Sequence, residues 1–127
     1  RLRSGESIAD AVATVMDIGA DALLFNCSPP EIMASALATA RTALDAAGST
    51  LRLGVYANAF CAHEAGAALP ANDGLDDIRT DLSPAAYLAL AKTWRAAGAD
   101  IIGGCCGIGP EHIAALAAWR DSETLPK

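Results

Sequence analysis

Positive charge is scarce in this 127-residue chain and never clustered: nine Lys and Arg stand against fifteen Asp and Glu, a formal net charge of −6. Such a chain is repelled on average by a polyanionic backbone or an anionic lipid surface, which argues against nucleic acid and membrane as partners. Long apolar runs are missing too. Asp, Asn or Gly interrupts each hydrophobic stretch well short of the roughly 18 residues a bilayer crossing needs. The opening "RLRSGES" has no initiator Met and no progression of charged, apolar and small residues that would mark a secretory leader. A cytoplasmic location is expected, and the chain is expected to be a piece of a longer polypeptide. Aromatics are only 5% of residues although 53% are hydrophobic, with alanine very abundant. That apolar fraction is high for a chain of one-domain length, so part of the surface is expected to meet a partner.

What is present is a regular alternation of helical and strand patterns. Ile8, Val12, Val15 and Met16 recur at helical spacing with Asp10, Thr14 and Asp17 opposite, which predicts a helix over 7–18 ended at Gly19. "ALLFNC", residues 22–27, is a continuous apolar run before Pro29 and Pro30 and suits a strand buried on both faces. Pro30 and Glu31 open a second helix, with Met33, Leu37, Ala40 and Leu44 on one stripe and a stop at Gly48. "LRLGVYAN", residues 51–58, reads as a second strand. Ser83 and Pro84 then start a helix that faces Tyr87, Leu90, Ala91 and Trp94 to the core. "ADIIGG" is a third strand, and a last helix from Pro110 to Arg120 is expected to bury Ile113, Leu116 and Ala117. Trp94 and Trp119 both fall at core spacing. This order predicts an α/β fold with a parallel sheet. The connection from Ala59 to Leu82 is far longer than an ordinary strand-to-helix link, and loops of that length are commonly functional.

Comparing the first and third strands shows a partial internal repeat, "GADALLFNCSPPE" against "GADIIGGCCGIGPE". In each, Gly-Ala-Asp leads into an apolar strand, a Cys follows at the same distance from the Gly, and Pro-Glu starts a helix. Cys27 and Cys106 thus occupy equivalent places at the carboxyl ends of parallel strands, where α/β proteins place ligand sites. Strands separated by one neighbour lie about 9–10 Å apart, whereas thiolates sharing a zinc at about 2.3 Å each must come within roughly 4 Å. Strong sheet curvature, as in a barrel, allows this. Cys105 and Cys106 are adjacent and face one ion only if the backbone leaves strand geometry, a freedom attributed to Gly103, Gly104 and Gly107. A three-thiolate metal site from Cys27, Cys105 and Cys106 is one reading. Small buried hydrophobes filling a tight turn, or a disulfide, either vicinal or to Cys61, are the others. Cys61, in the long loop, reads as a free thiol.

"NCSPPE" at residues 26–31, "GVYAN" at 54–58 and "GGCCGIGPEHI" at 103–113 together resemble the carboxyl-terminal part of the homocysteine S-methyltransferase family. The resemblance extends over nearly the whole chain and implies strands six to eight of a zinc-dependent (β/α)8 TIM barrel with their flanking helices, so that residues 1–127 form the carboxyl-terminal part of one barrel domain. It also implies methyl transfer to the thiol of homocysteine, forming methionine, from S-methylmethionine, S-adenosylmethionine, betaine or a folate. The family's Zn²⁺ ligands fall on Cys27, Cys105 and Cys106. Where many members carry Tyr-Pro-Asn-Ser-Gly, this chain has Tyr56-Ala57-Asn58-Ala59-Phe60, which leaves Asn58 a weak candidate for substrate binding. The family's first five strands and its amino-terminal Asp-Gly-Gly-type motif have no counterpart. The isolated chain is therefore expected to be inactive, and to self-associate or pair with the missing amino-terminal half.

The chemistry suits these residues. A free thiol is only a few per cent thiolate at neutral pH, and three thiolates on a dication leave a fourth tetrahedral position open for a substrate sulfur. Helices starting at Pro30 and Pro110 are expected to turn their positive ends toward the thiolates. Asn26 either orients substrate or satisfies backbone at the strand end. His63 and Glu64 read as a solvated loop pair, and His112 as a cap or packing residue. A non-catalytic half-barrel module, with a structural zinc or redox-active vicinal cysteines, is the alternative to an enzyme.

Overall fold

The computed structural model describes residues 1–61 and 77–123; His63 and Glu64 lie outside the described residues. Helices and strands alternate as α1 (Ile8–Asp17), β1 (Ala22–Asn26), α2 (Pro30–Ala46), β2 (Arg52–Ala57), α3 (Pro84–Ala96), β3 (Ile101–Gly104) and α4 (Pro110–Ser122). The three strands form one parallel sheet in the order β1-β2-β3. No described helix is long and apolar enough to cross a membrane.

Local chemistry sets the helix starts. The Ser7 hydroxyl accepts from the Asp10 amide at 3.0 Å and the Ser83 hydroxyl from the Ala86 amide at 3.2 Å, each meeting one amide that the first turn leaves unpaired. α2, α3 and α4 all begin with proline, whose fixed φ suits the first turn and which has no N–H to satisfy there.

The two faces of the sheet are built differently. On one, Leu53, Val55 and Ala57 of β2 are fully buried beneath Met33, Leu37 and Leu44 of α2 and Tyr87, Ala91 and Trp94 of α3. Burying so many large side chains is the main stabilising term, about 1.5–3 kcal/mol for each. The other face carries the hydrogen-bonded row Leu24, Gly54, Ile101. A Cβ placed on Gly54 would lie 2.8 Å from Leu24 Cγ, 2.9 Å from Ile101 Cβ and 2.9 Å from the Ile101 carbonyl oxygen. Side chains from alternate strands close over the glycine, which means the sheet is concave on this face. Gly54→Ala is expected to destabilise the chain by about 1–3 kcal/mol, because neither backbone nor β-branched Ile101 has room to yield; urea denaturation measures it.

Three expectations need correction. β1 is only half-buried along Ala22–Phe25 and exposed at Asn26, because it is an edge strand paired with β2 alone among the described residues. Ile113 is 43% exposed, not buried. α4 instead turns His112, Leu116 and Trp119 inward, a stripe displaced by one position because the His112 ring is drawn in to make two hydrogen bonds. Leu90 is half-buried. Trp94 is fully buried as expected, and Trp119 is partly buried against the core.

Tyr87 connects the core to the end of β3. Its hydroxyl donates to the Gly103 carbonyl at 2.8 Å, its ring meets Trp94 edge-on at 5.2 Å, and burial pushes its pKa up to about 12. The folded state holds this proton more tightly than the unfolded chain, whose tyrosine titrates near 10. Stability is therefore whole below about pH 10 and declines as pH rises toward 12. Tyr87→Phe is expected to cost about 1 kcal/mol at neutral pH and to remove that part of the alkaline decline, as followed by urea midpoints across pH.

Candidate metal centre

Each cysteine is placed by a departure from strand geometry just past a strand end. Cys27 follows β1 and takes a left-handed backbone conformation with φ 44°, the one described non-glycine residue with positive φ. That conformation costs a side-chain-bearing residue about 1–3 kcal/mol, and here it turns the sulfur across β2 instead of along β1. After β3, the chain makes a tight turn in which the Ile108 amide donates to the Cys105 carbonyl at 3.0 Å. Gly107, the third residue of that turn, has φ 78°. A Cβ there would also lie 2.9 Å from Ala59 Cβ, so glycine is required on two grounds. Gly104 is required for room alone: a Cβ would collide with the Ile108 side chain, which folds back over it. Gly103 meets no such crowding, so of the three glycines expected to loosen the backbone, Gly107 is the one that does so.

The result is a cluster. The sulfurs of Cys27 and Cys106 lie 3.8 Å apart, those of Cys105 and Cys106 also 3.8 Å, and all three fall within 4.8 Å of one another. Tetrahedral geometry with zinc–sulfur bonds of about 2.3 Å puts neighbouring sulfurs about 3.8 Å apart, so the donor set fits such an ion. All four cysteines are free thiols. Cys27 and Cys105 are half-buried and Cys106 is exposed, so they neither form the disulfide nor fill the core as small hydrophobes. Cys61 is exposed and free, as expected.

Cys27 and Cys105 hold their protons unequally. Burial pushes the Cys27 thiol up, but hydrogen bonds from Cys105, Asn58 and Cys106 outweigh it, and its pKa falls below the usual thiol value. Cys105 is pushed up to about 11 by its bond to Cys27 and by burial. In the metal-free chain Cys27 thus gives up its proton more readily than Cys105. The starts of α2 and α4 follow the two cysteine turns closely in the chain, and the positive ends of these helices favour negative sulfur.

The segment past β2 joins both turns. The Asn58 amide donates to the Ser28 carbonyl at 3.1 Å, and the Ala59 amide donates to the Cys106 carbonyl at 2.8 Å. Asn58 is only 7% exposed; its Nδ2 donates to the Cys27 carbonyl at 3.0 Å and lies 3.8 Å from the Cys27 sulfur, while its Oδ1 accepts from the Phe60 amide at 3.3 Å. Its amide therefore faces the cysteine turn. Asn26 is exposed at the end of β1, and its carbonyl accepts from the Ser28 hydroxyl at 3.0 Å.

Around the rim, the described ends of the long connection form a small antiparallel stem. Phe60 and Ile78 bridge, with the Cys61 amide donating to the Asp77 carbonyl and the Arg79 amide to the Ala59 carbonyl, both at 2.8 Å. Arg79 holds the stem to the start of α2: its guanidinium binds both oxygens of Asp81, at 2.9 and 2.7 Å, and also Glu31. Those hydrogen bonds lower the Asp81 pKa. His112 accepts from the Gly109 amide through Nδ1 at 3.1 Å and donates from Nε2 to the Leu82 carbonyl at 2.7 Å, which makes it a cap and a tether and leaves neither nitrogen for a metal. Sequence reasoning missed Arg79 altogether, because its partner Glu31 is remote in the chain. The signal for Asn58 was its match to the Asn of the family's Tyr-Pro-Asn-Ser-Gly run, which suggested a substrate contact and not its bond to Cys27.

A parallel α/β sheet with three convergent thiols at its carboxyl ends defines an open thiolate site able to hold a metal ion. The sequence model of the homocysteine S-methyltransferase family matches residues 1–119, and the chain belongs to that family. It is similar to homocysteine S-methyltransferase YbgG of Bacillus subtilis (strain 168), with 53% identity over 36 residues; that stretch covers 28% of this chain and 11% of the Bacillus protein.

Proposed function

We propose that this chain carries the zinc centre of a homocysteine S-methyltransferase, as the carboxyl-terminal part of a (β/α)8 barrel. Residues 1–127 would then supply strands six to eight. The observation that carries the reading is the spacing of the three sulfurs: two separations equal the edge of a zinc tetrahedron, and all three sulfurs lie within 4.8 Å of one another. The concave sheet, closed over Gly54, supports the barrel. The family supports homocysteine as the acceptor and methionine as the product. When bound, zinc would supply Lewis acidity that holds a thiol deprotonated at neutral pH.

The chain's own residues supply the rest. Cys27, Cys105 and Cys106 would hold the ion, and their three negative charges against its two would keep a sulfur beside it electron-rich. The substrate sulfur attacks the methyl carbon of a donor of the onium or methylfolate type; the new S–C bond forms as the old S–C or N–C bond breaks, and the leaving thioether or amine keeps the electron pair. The thiol proton is lost to solvent, and no base is needed at carbon. Rate then comes from thiolate formation and alignment. Asn26, exposed beside Cys27, is the candidate to bind the polar end of the amino acid.

The test is metal content and thiol methylation together. The chain is expected to bind about one zinc, and a polypeptide with the remaining barrel strands to methylate homocysteine with one of S-methylmethionine, S-adenosylmethionine, betaine or methylfolate, sensitive to a chelator. The chain alone is expected to be inactive and to associate through the open edges of β1 and β3, as seen by light scattering. No metal binding, or full activity after complete chelation, would refute the proposal. A metal held without any methyl transfer in the longer polypeptide would favour a non-catalytic structural module.

A further inference from the structure

We infer that Asn58 is a positioning residue for Cys27: its side-chain amide holds the Cys27 turn in the left-handed conformation that brings this sulfur to the other two. The inference rests on the metal-site reading above and adds to it the residue that assembles the site. Cys27 and Cys106 come from edge strands on opposite sides of β2, and no strand pairing joins β1 to β3. What joins their ends is the last part of β2, whose Ala57 carbonyl accepts from the Cys105 amide at 2.9 Å, and the short stretch after it. Ala59 grips the Cys106 turn through its main chain, and the main chain of Asn58 holds Ser28. The Cys27 amide donates to the Tyr56 carbonyl of β2 at 3.0 Å, and the Cys27 carbonyl is left to the Asn58 side chain, whose Nδ2 donates to it at 3.0 Å and sits 3.8 Å from the Cys27 sulfur.

Asn58 is itself held. It is 7% exposed, and its Oδ1 accepts from the Phe60 amide at 3.3 Å, which sets which end of the amide points at Cys27. A non-glycine residue in the left-handed region persists only where its surroundings over-determine it. Here the carbonyl of the strained residue is the group that Asn58 grips. Without that bond, relaxation of Cys27 to an ordinary conformation swings its sulfur away from Cys106, and the three-sulfur set becomes two.

The test uses Co²⁺ as probe metal on the intact chain, because the thiolate-to-cobalt charge-transfer band grows with the number of sulfurs bound. Asn58→Ala is expected to lower that band by about a third, from three thiolates to two, and to speed metal release to a chelator by about 10–100-fold. Asn58→Asp keeps the size and the Oδ1 acceptor but loses the donor to Cys27; it is expected to release metal at least tenfold faster, and it decides the matter if the alanine variant fails to fold. A general loss of stability does not change the number of thiolates on a bound ion, so the band separates positioning from a structural role. Band intensity and release within twofold of the unaltered chain in the folded variants would overturn the inference while leaving the metal site standing. If the unaltered chain binds no Co²⁺, the metal reading fails, and a metal-free measurement still judges Asn58. In a Cys61→Ser, Cys105→Ser background, where Cys27 and Cys106 are the two thiols left, phenylarsine oxide must bridge them, and Asn58→Asp is expected to slow that capture at least tenfold; equal rates would overturn the inference.

Discussion

Cys106→Ser is expected to abolish stable zinc binding while leaving the fold intact. The substitution replaces a thiolate by a hydroxyl that stays neutral at pH 7, and Cys106 is the sulfur that lies 3.8 Å from each of the other two. Losing a residue that merely supports a ligand weakens a metal site by roughly 10–100-fold; losing this ligand should exceed that. Because Cys106 is exposed, the urea midpoint should move by no more than about 0.5 kcal/mol in stability. Cys61→Ser is the control: its thiol lies outside the cluster, and metal binding should be unchanged. Competition with a chromogenic chelator reads both variants, and a Cys106→Ser chain that holds zinc as tightly as the unaltered one would contradict the proposed ligand set.

The largest loss of stability is expected at Trp94. It is fully buried between α2 and α3, meets Tyr87 edge to face, and donates from Nε1 to the Pro30 carbonyl at 3.3 Å. Trp94→Ala leaves a large cavity and removes the side-chain bond to Pro30, a cost of about 3–5 kcal/mol. That is a large share of the roughly 5–15 kcal/mol that holds a domain together. Trp94→Phe keeps most of the volume and should lose about 1–2 kcal/mol, mainly the hydrogen bond. Pro30 starts the helix just after the Cys27 turn, so the alanine variant should also bind metal poorly. Urea denaturation followed by circular dichroism, with and without zinc, measures the effects; a Trp94→Ala chain as stable as the unaltered one would show that this core is not what holds α2 and α3 to the sheet.

Much of the fold was legible because its signals are local. Ser83 followed by Pro84 marks a helix start by chemistry that acts within one turn, and the runs at 22–26 and 52–57 are strands for reasons contained in their own composition. The internal repeat correctly placed Cys27 and Cys106 at the ends of two strands. It did not give their level in the sheet. Hydrogen bonding sets Asn26 beside Tyr56 and Tyr56 beside Gly103, so Gly103, and not the repeat-matched Cys105, shares a level with Asn26. A repeat records similar turns; register depends on how neighbouring strands slide, which no single strand encodes. The ligand set became specific through the family resemblance, since adjacent cysteines in a glycine-rich turn also suit other readings. Groups joined across the chain were not legible. Arg79 with Glu31, His112 with Leu82 and Asn58 with Cys27 each depend on where separate elements come to lie. Ile113 was misplaced for the same reason: helical spacing identifies a stripe, but tethering of the His112 ring rotates it.

The small stem formed by Phe60 and Ile78 has a consequence for how this family member can vary. Because the chain departs and comes back through one bridged pair, and Arg79 fastens that pair to α2, the two ends of the long connection are pinned at the side of the cysteine turns. Doubling the length of a closed loop adds only about 0.6 kcal/mol of closure entropy. Added length between these anchors is thus cheap: an insertion there is expected to leave the bridged ends, and with them the grip of Ala59 on the Cys106 turn, in place.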